Sequence, residues 1–316
     1  MTSPLVSVVL PVRDGAAFVA AAIGSILAQT FDAFELLVID DGSRDATPAV
    51  VGDLAARDRR LRVLTQPLLG LVPALNRGLA EARGFYVARM DADDLAMPER
   101  LARQVAALDR HPGVVALGSA CGVIGRDGTM LGRRSPPLTP AAIRDALRLG
   151  NCMIHPTMML RRAAVLDAGG YRGAFRHAED FDLWLRLSER HDLMNLPEAL
   201  LAYRQHAGQS SWQELEQRSL SELGALVVAA QRRAGGDDLA DAVPLIDRGF
   251  LRDIGVAEAA ITRHITVRAM DAAKEALAAG HTGSAHAAIE LLLRQPGLRP
   301  RTRLHAWLLG LRAGLR

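Results

Sequence analysis

The sequence predicts an α/β protein, a parallel sheet with helices on both faces, followed by a helical C-terminal region. Three observations carry that prediction. Through the first hundred residues, short apolar runs of strand length alternate with helical periodicity. Those runs are apolar at nearly every position, the pattern of strands buried on both faces. Beyond about residue 210 the strand signals give way to almost continuous helical texture, rich in alanine and leucine.

The elements follow in order. Leu5–Pro11 is an apolar strand bounded by Pro4 and the polar turn Arg13-Asp14-Gly15, after which Phe18, Ala22, Ile23, Ile26 and Leu27 recur at helical spacing. Phe34–Ile39 is a second strand ending in Asp40-Asp41-Gly42-Ser43, and Asp45 is suited to cap a helix reaching about Arg57. Leu61–Leu64 is a third strand, succeeded by a helix around Val72–Ala82. Phe85–Met90, aromatic and β-branched behind Gly84, is a fourth. Pro98 sits just before a helix running to about Arg110, then come a strand at Val114–Leu117 and a hairpin in Val123–Leu131 around Asp127-Gly128. Pro136, Pro137 and Pro140 lead into a helix near Ala141–Leu149. Thr157–Leu160, a helix after Arg161, the turn Gly169-Gly170, a short helix Phe181–Arg190 and one or two strands in Leu193–Tyr203 come next. Farther on, Val256–Leu293 reads as a helical hairpin around Gly280 and Gly283.

The bulk composition narrows the function classes. A chain of 316 residues, 49 % hydrophobic, can bury one large core or two smaller ones. The net charge is only +3, Lys274 is the sole lysine, aromatic residues make up 4 %, and no basic run alternates with stacking rings. A nucleic-acid partner is therefore not expected. Cys121 and Cys152 lack metal-ligand spacing, which suits a reducing compartment. With no signal-peptide layout and no run of ~18 apolar residues, a cytoplasmic protein is expected. After Glu290 there are six arginines and no carboxylate side chain, with Leu304, Trp307, Leu308 and Leu311 at helical spacing. That pattern suits a helix resting peripherally on anionic lipid at the inner face of the membrane. It equally suits a helix closing a bundle or meeting a protein partner.

Ligands of parallel α/β sheets bind beyond the carboxyl ends of the strands. Arg13-Asp14, Asp40-Asp41 and the trio Asp91, Asp93 and Asp94 all fall at that edge and are expected to be neighbours. Asp91-Ala92-Asp93 is a D-x-D pattern whose aspartates would share a side if the strand continued through them. Hard carboxylate oxygens suit Mg²⁺ or Mn²⁺, although acidic clusters also form solvated turns. An acid ending the second strand also fits a dinucleotide-binding protein. That class needs G-x-G-x-x-G after the first strand, where this chain has Pro11-Val12-Arg13-Asp14-Gly15. No glycine-lysine pair offers a P-loop either. The phosphates of a bound nucleotide would have to meet a metal and basic side chains.

The segments VSVVLPVRDG, SILAQTFDAFELLVIDDGSRDAT, ALNRGLAEARGFYVARMDADDLAMPERLARQVAAL, HPTMMLRRAAVLDAGGYR, HAEDFDLWLRL and YRQHAGQSS, in this order over residues 4–212, resemble the inverting family-2 glycosyltransferases of the GT-A fold. The resemblance implies a GT-A catalytic domain over residues 1–212, with a nucleotide-sugar half to about 110 and an acceptor half over about 111–212. A helical C-terminal region over 213–316 follows. It implies a hexosyltransferase-like enzyme, dependent on Mg²⁺ or Mn²⁺. The donor would be a nucleotide diphosphate sugar, most commonly a UDP-sugar. The acceptor would be a hydroxyl of a polysaccharide, lipid-linked or other cell-envelope glycoconjugate.

On the same resemblance, Asp41 would hydrogen-bond the base, walled by Pro11, Val12 and Arg13 and assisted by Asp14. Asp91 would meet the ribose or the metal shell, Asp93 would ligate the metal, and His206 would reach the metal or diphosphate. Asp180 of Glu179-Asp180 would be the general base, kept ionised by the metal and by Arg176 or His177. Asp94, His155, Glu179, Trp184 and Arg204 are expected beside the acceptor or behind the primary ligands. For Asp94 a capping role competes, for His155 and Trp184 packing, and for Arg204 solvation of the strand end. Trp212 is read as packing or as stacking on a sugar. Two alternatives stand beside this reading. One is an inactive nucleotide-sugar-binding assembly protein. The other is a sugar nucleotidyltransferase, which would carry a glycine-rich basic loop that is missing here.

Overall fold

The apolar runs of the first hundred residues pair as parallel strands. The computed structural model describes residues 3–206, 214–241 and 243–313. The chain packs as two compact units, Met1–Arg172 with Leu183–Arg204, and Gly173–Asp182 with Gln205–Arg316. The first contains β1 (Val6–Val12), α1 (Val19–Leu27), β2 (Phe34–Asp41), α2 (Thr47–Ala55), β3 (Leu61–Gln66), α3 (Leu71–Glu81), β4 (Tyr86–Arg89), β5 (Leu95–Ala96) and α4 (Arg100–Arg110). It continues with β6 (Val114–Ile124), β7 (Met130–Arg134), α5 (Pro140–Leu147), β8 (Met159–Arg161), α6 (Arg162–Asp167), the later residues of α7 (Glu179–Ser188) and β9 (Asp192–Arg204).

These strands form one mixed sheet in the order β3-β2-β1-β4-β8-β6-β9-β5, with β7 on β6. β1 pairs in parallel with β2 and β4, and β2 in parallel with β3. Side chains alternate across it. Val6, Val8, Leu10, Phe34, Leu36 and Val38 pack with Ile23 and Ile26 of α1 and with Leu101 and Leu108 of α4. On the other face Gly78 of α3 lies so close that a β-carbon there would sit 2.4 Å from Val9 Cγ1 and 3.2 Å from Ile39 Cδ1. Both faces are covered, as continuous apolar strands require.

Beyond β4 the structure departs from expectation. β8 runs antiparallel between β4 and β6, so the sheet is mixed, although β9 again pairs in parallel with β6. The strand expected at Val114–Leu117 continues to Ile124 as β6, and its hairpin partner β7 follows the turn at Gly128, φ +90°. Leu193–Tyr203 is one long strand, β9, whose register on β6 jumps from Ser119↔Leu196 to Ala120↔Ala199. Pro197, which has no N–H to give, lies in that bulge. The two-residue β5, paired to Leu201 and Ala202, carries no sequence signal of its own.

The second unit contains α8 (Leu215–Arg233), α9 (Arg248–Asp253), α10 (Glu258–Ala278), α11 (Thr282–Arg294) and α12 (Pro300–Arg312). The hairpin expected around Gly280 is α10–α11, with Gly280 at φ +74°. Alanines Ala269, Ala273, Ala276, Ala285, Ala288 and Ala306 let these helices approach closely. Glu222 of α8 is buried and paired with Arg218 (3.0 Å) and Arg268 of α10 (2.6 Å). The domain boundary expected at 212/213 and Trp212 lie outside the described residues.

Candidate active site

β1, β2 and β4 end at one edge because parallel neighbours advance together, and their loops interlock there. Arg44 N–H donates to Asp14 Oδ1 (2.7 Å), while Asp14 N–H donates to Ser43 Oγ (3.0 Å). Gly15 N–H donates to Thr47 Oγ1 (2.8 Å) and Ala16 N–H to Asp45 Oδ2 (3.0 Å). Asp45 also accepts from Thr47 N–H (2.9 Å), a side-chain turn one residue ahead of the capping position, which Ala46 occupies instead of the expected Asp45. These bonds zip the first two turns together, and Asp14 serves the zipper at φ +48°. Arg13 is exposed beside Asp14 at 3.6 Å, a pair worth little in water. Pro11 and Val12 are buried beneath the turn.

Asp41, 5 % exposed, lies in a cradle of donors. Gln66 Nε2 (2.8 Å) and Leu69 N–H (2.9 Å) reach its Oδ1, and Gly70 N–H (2.8 Å) reaches Oδ2. A carboxylate has about four acceptor positions, so one direction on Oδ2 is left for a ligand donor. Gly42, at φ +72° and placed so that a β-carbon would lie 2.9 Å from Leu68 N, makes the tight exit from β2.

The third turn carries the acids. Carboxylate oxygens of Asp91, Asp93 and Asp94 lie within 4.8 Å of one another. Asp91 and Asp93 stand in the turn beyond the strand end, as expected, and the strand does not continue through them, since β4 stops at Arg89. What brings them together is the turn, not strand alternation. Gly15 lies beside Ala92, so the first and third turns are neighbours, as the sequence predicts. Arg89, buried in β4, ion-pairs with Asp91. Arg100, also buried, donates to Arg89 O (2.7 Å), and burial lowers its pKa to about 10.

Asp94 is fully buried and Oδ1 accepts Arg204 N–H (2.8 Å). Its Oδ2 is buried without a hydrogen-bond partner among the described residues. Burial, then the charges of Asp91 and Asp93, push its carboxyl well above the ordinary range. A cluster of oxygen donors with one orphaned buried oxygen and a raised pKa fits a hard divalent cation. Arg204, expected at a diphosphate or in solvent, is buried and donates to Asp93 O (2.7 Å), Gly125 O (3.1 Å) and Arg126 O (2.9 Å). It clamps the acidic turn to the β6–β7 turn, and its guanidinium lies 5.0 Å over the Phe18 ring.

Behind the cluster, His155 is buried in a 3₁₀ turn and shares a 2.9 Å hydrogen bond with Tyr171 Oη. Trp184 stands edge-on to it at 5.8 Å between ring centroids, with its indole N–H buried and unpartnered among the described residues. Burial, then Arg89, hold the His155 pKa well below its ordinary value, so the ring is neutral.

Glu179, Asp180 and His206 belong to the second unit. Asp180 is half-buried in the first turn of α7, where Oδ1 accepts Phe181 N–H (2.7 Å), and Glu179 beside it is buried. Arg176 (2.8 Å) and His177 (3.0 Å) both pair with Glu214. His206 is half-buried. Sequence reasoning passed over Arg89, Arg100, Gln66 and Tyr171. The available signal was an arginine inside an apolar strand two residues before Asp91.

Residues 7–170 match the family model described as glycosyl transferase family 2. An uncharacterized glycosyltransferase of Haemophilus influenzae is 33 % identical over 219 residues, 66 % of this chain and 68 % of that protein. The O-antigen biosynthesis glycosyltransferase WbnJ of Escherichia coli is 32 % identical over 206 residues, 64 % of this chain and 80 % of that one. Among solved structures, S. aureus TarS 1-349 in complex with UDP-GlcNAc superposes with a TM-score of 0.54 at 17 % identity, over 90 % of this chain and 88 % of that one. The mannosyltransferase PcManGT from Pyrobaculum calidifontis in complex with GDP-Man and Mn²⁺ does so at 0.53 and 19 % identity, over 100 % and 87 %. At such identities the two structures speak to the fold, which is of the GT-A type.

Proposed function

This chain belongs to glycosyltransferase family 2 and is a glycosyltransferase, and from that premise we propose a metal-dependent, inverting enzyme. Its donor is a nucleoside diphosphate sugar, a UDP-sugar first among the candidates. Its acceptor is a hydroxyl of a polysaccharide, lipid-linked or other glycoconjugate of the cell envelope. One observation carries the reading: three carboxylates converge in the turn after β4, next to the zipped turns after β1 and β2.

Asp93 and Asp91 hold the cation in this reading, the orphaned Oδ2 of Asp94 completes the donor set, and His206 is assigned to the metal or diphosphate. Once bound, Mg²⁺ or Mn²⁺ supplies positive charge against the departing diphosphate. Arg89 fixes the orientation of Asp91 through their ion pair. The open acceptor direction on Asp41 takes a base N–H, with Pro11, Val12 and Arg13 alongside. The interlocked turns hold these groups in place before the donor arrives, which reduces reorganisation. Asp180 takes the proton of the acceptor hydroxyl as its oxygen attacks the anomeric carbon from the face opposite the diphosphate. A single displacement of this kind inverts the configuration. Base assistance contributes ~10²–10⁴-fold. UDP-GlcNAc in TarS, GDP-Man with Mn²⁺ in PcManGT and the O-antigen role in the name of WbnJ support donor, metal and acceptor class.

Incubation with a panel of nucleotide sugars and Mn²⁺, with no acceptor, tests the reading. Slow release of nucleoside diphosphate from one donor, stopped by EDTA, is expected. Tight binding of a donor with neither hydrolysis nor transfer to any glycan would make the protein a binding module.

A further inference from the structure

Helix α12 is apolar on two opposite sides. Ala306, Leu309 and Ala313 are buried in the helical core with Ala273, Ala285 and Leu292. Leu304, Trp307, Leu308 and Leu311 are each 47–57 % exposed. At 3.6 residues per turn these four form one stripe away from the buried side. Arg301 flanks it on one side and Arg303 on the other, both exposed, and exposed Arg299 precedes the helix. Isolated surface leucines need no explanation, but a contiguous stripe with a large aromatic ring marks a docking surface.

The charge around the stripe says what covers it. No aspartate or glutamate follows Glu290 in the sequence, so α12 itself carries no acid to answer its arginines. A second copy of the same face would set arginine against arginine. A neutral apolar partner would leave the guanidinium groups unanswered. An anionic bilayer answers both features: leucines enter the acyl boundary, tryptophan takes the interfacial level, and arginines meet lipid phosphates. We propose that α12 is an interfacial helix that docks the protein on an anionic phospholipid surface through Leu304, Trp307, Leu308 and Leu311. This docking stands apart from the reaction proposed above.

Flotation of the full chain with phosphatidylcholine vesicles, with and without phosphatidylglycerol, tests it. Binding is expected only with the anionic lipid and should weaken as salt rises. Because both side chains are exposed, the double variant Trp307→Gln/Leu308→Gln should keep its melting temperature and its acceptor-free donor hydrolysis. Its vesicle affinity should fall about tenfold or more. Arg301→Gln and Arg303→Gln should each lower affinity roughly fivefold. Absence of flotation with anionic vesicles, equal flotation with neutral ones, or unchanged binding of the double variant would each overturn the proposal. So would a dimer, seen by analytical ultracentrifugation, that the same double variant dissociates.

Discussion

Asp94 and His155 are both buried, yet they answer to pH in opposite directions. The carboxyl of Asp94 has a folded pKa raised by burial and by Asp91 and Asp93. Its contribution to stability is complete below the ordinary 3.8 and is lost as pH rises toward the folded value. His155 is held neutral, its folded pKa lowered by burial and Arg89, so its contribution is complete above 6.5 and is lost as pH falls below that. Thermal melts of the metal-free protein should therefore show two overlapping trends, which variants separate. Asp94→Asn should flatten the loss toward high pH, and His155→Phe the loss toward low pH. Mn²⁺ should raise the melting temperature more at about pH 8 than at about pH 5, since cation binding needs the deprotonated acid. A Mn²⁺ shift of equal size at both pH values would count against Asp94 as a donor. The acidic trio was legible in the sequence because its members are almost consecutive. The buried arginine that balances it was overlooked because its ion pair is a matter of the turn's shape.

Among elements, the acidic turn is held by contacts that no local pattern announces. Arg204 ends β9 and reaches three carbonyls, on Asp93, Gly125 and Arg126. Arg204→Ala would leave these carbonyls without their donor, a loss on the order of 2–4 kcal/mol in urea unfolding. Arg204→Lys should recover little, because a point-like ammonium cannot span the fork. On the other face of the sheet, Gly78→Ala gains helix propensity but drives a methyl to 2.4 Å from Val9 Cγ1. A net loss of about 1–2 kcal/mol is expected, and a gain would mean that α3 shifts freely on β1. The parallel strands β1 to β4 and their helices could be read because each is a local run closed by a turn. The antiparallel β8, inserted between β4 and β6, could not, since strand order depends on partners far apart in sequence. The short β5 likewise owes its existence to β9.

For the whole molecule, the assigned groups divide between the two compact units. The acidic turn and the Asp41 cradle belong to the first, and Asp180 belongs to the second. Donor capture and proton removal should therefore respond to separate substitutions. Asp93→Asn is expected to lower Mn²⁺-dependent binding of the nucleotide sugar, measured by calorimetry, and turnover should fall with it. Asp180→Asn should leave the donor dissociation constant within about twofold of wild type while kcat falls by ~10²–10⁴-fold, the share that a general base supplies. The carboxamide is almost the same size as the carboxylate, so a loss of kcat at unchanged binding reports the missing proton acceptor and not a disturbed fold. A pH profile sharpens the comparison. Wild-type kcat should rise as the base ionises, whereas the residual rate of Asp180→Asn should lack that limb. Were Asp180→Asn to weaken donor binding as much as Asp93→Asn does, Asp180 would belong with the donor-holding groups, and another residue would have to accept the proton.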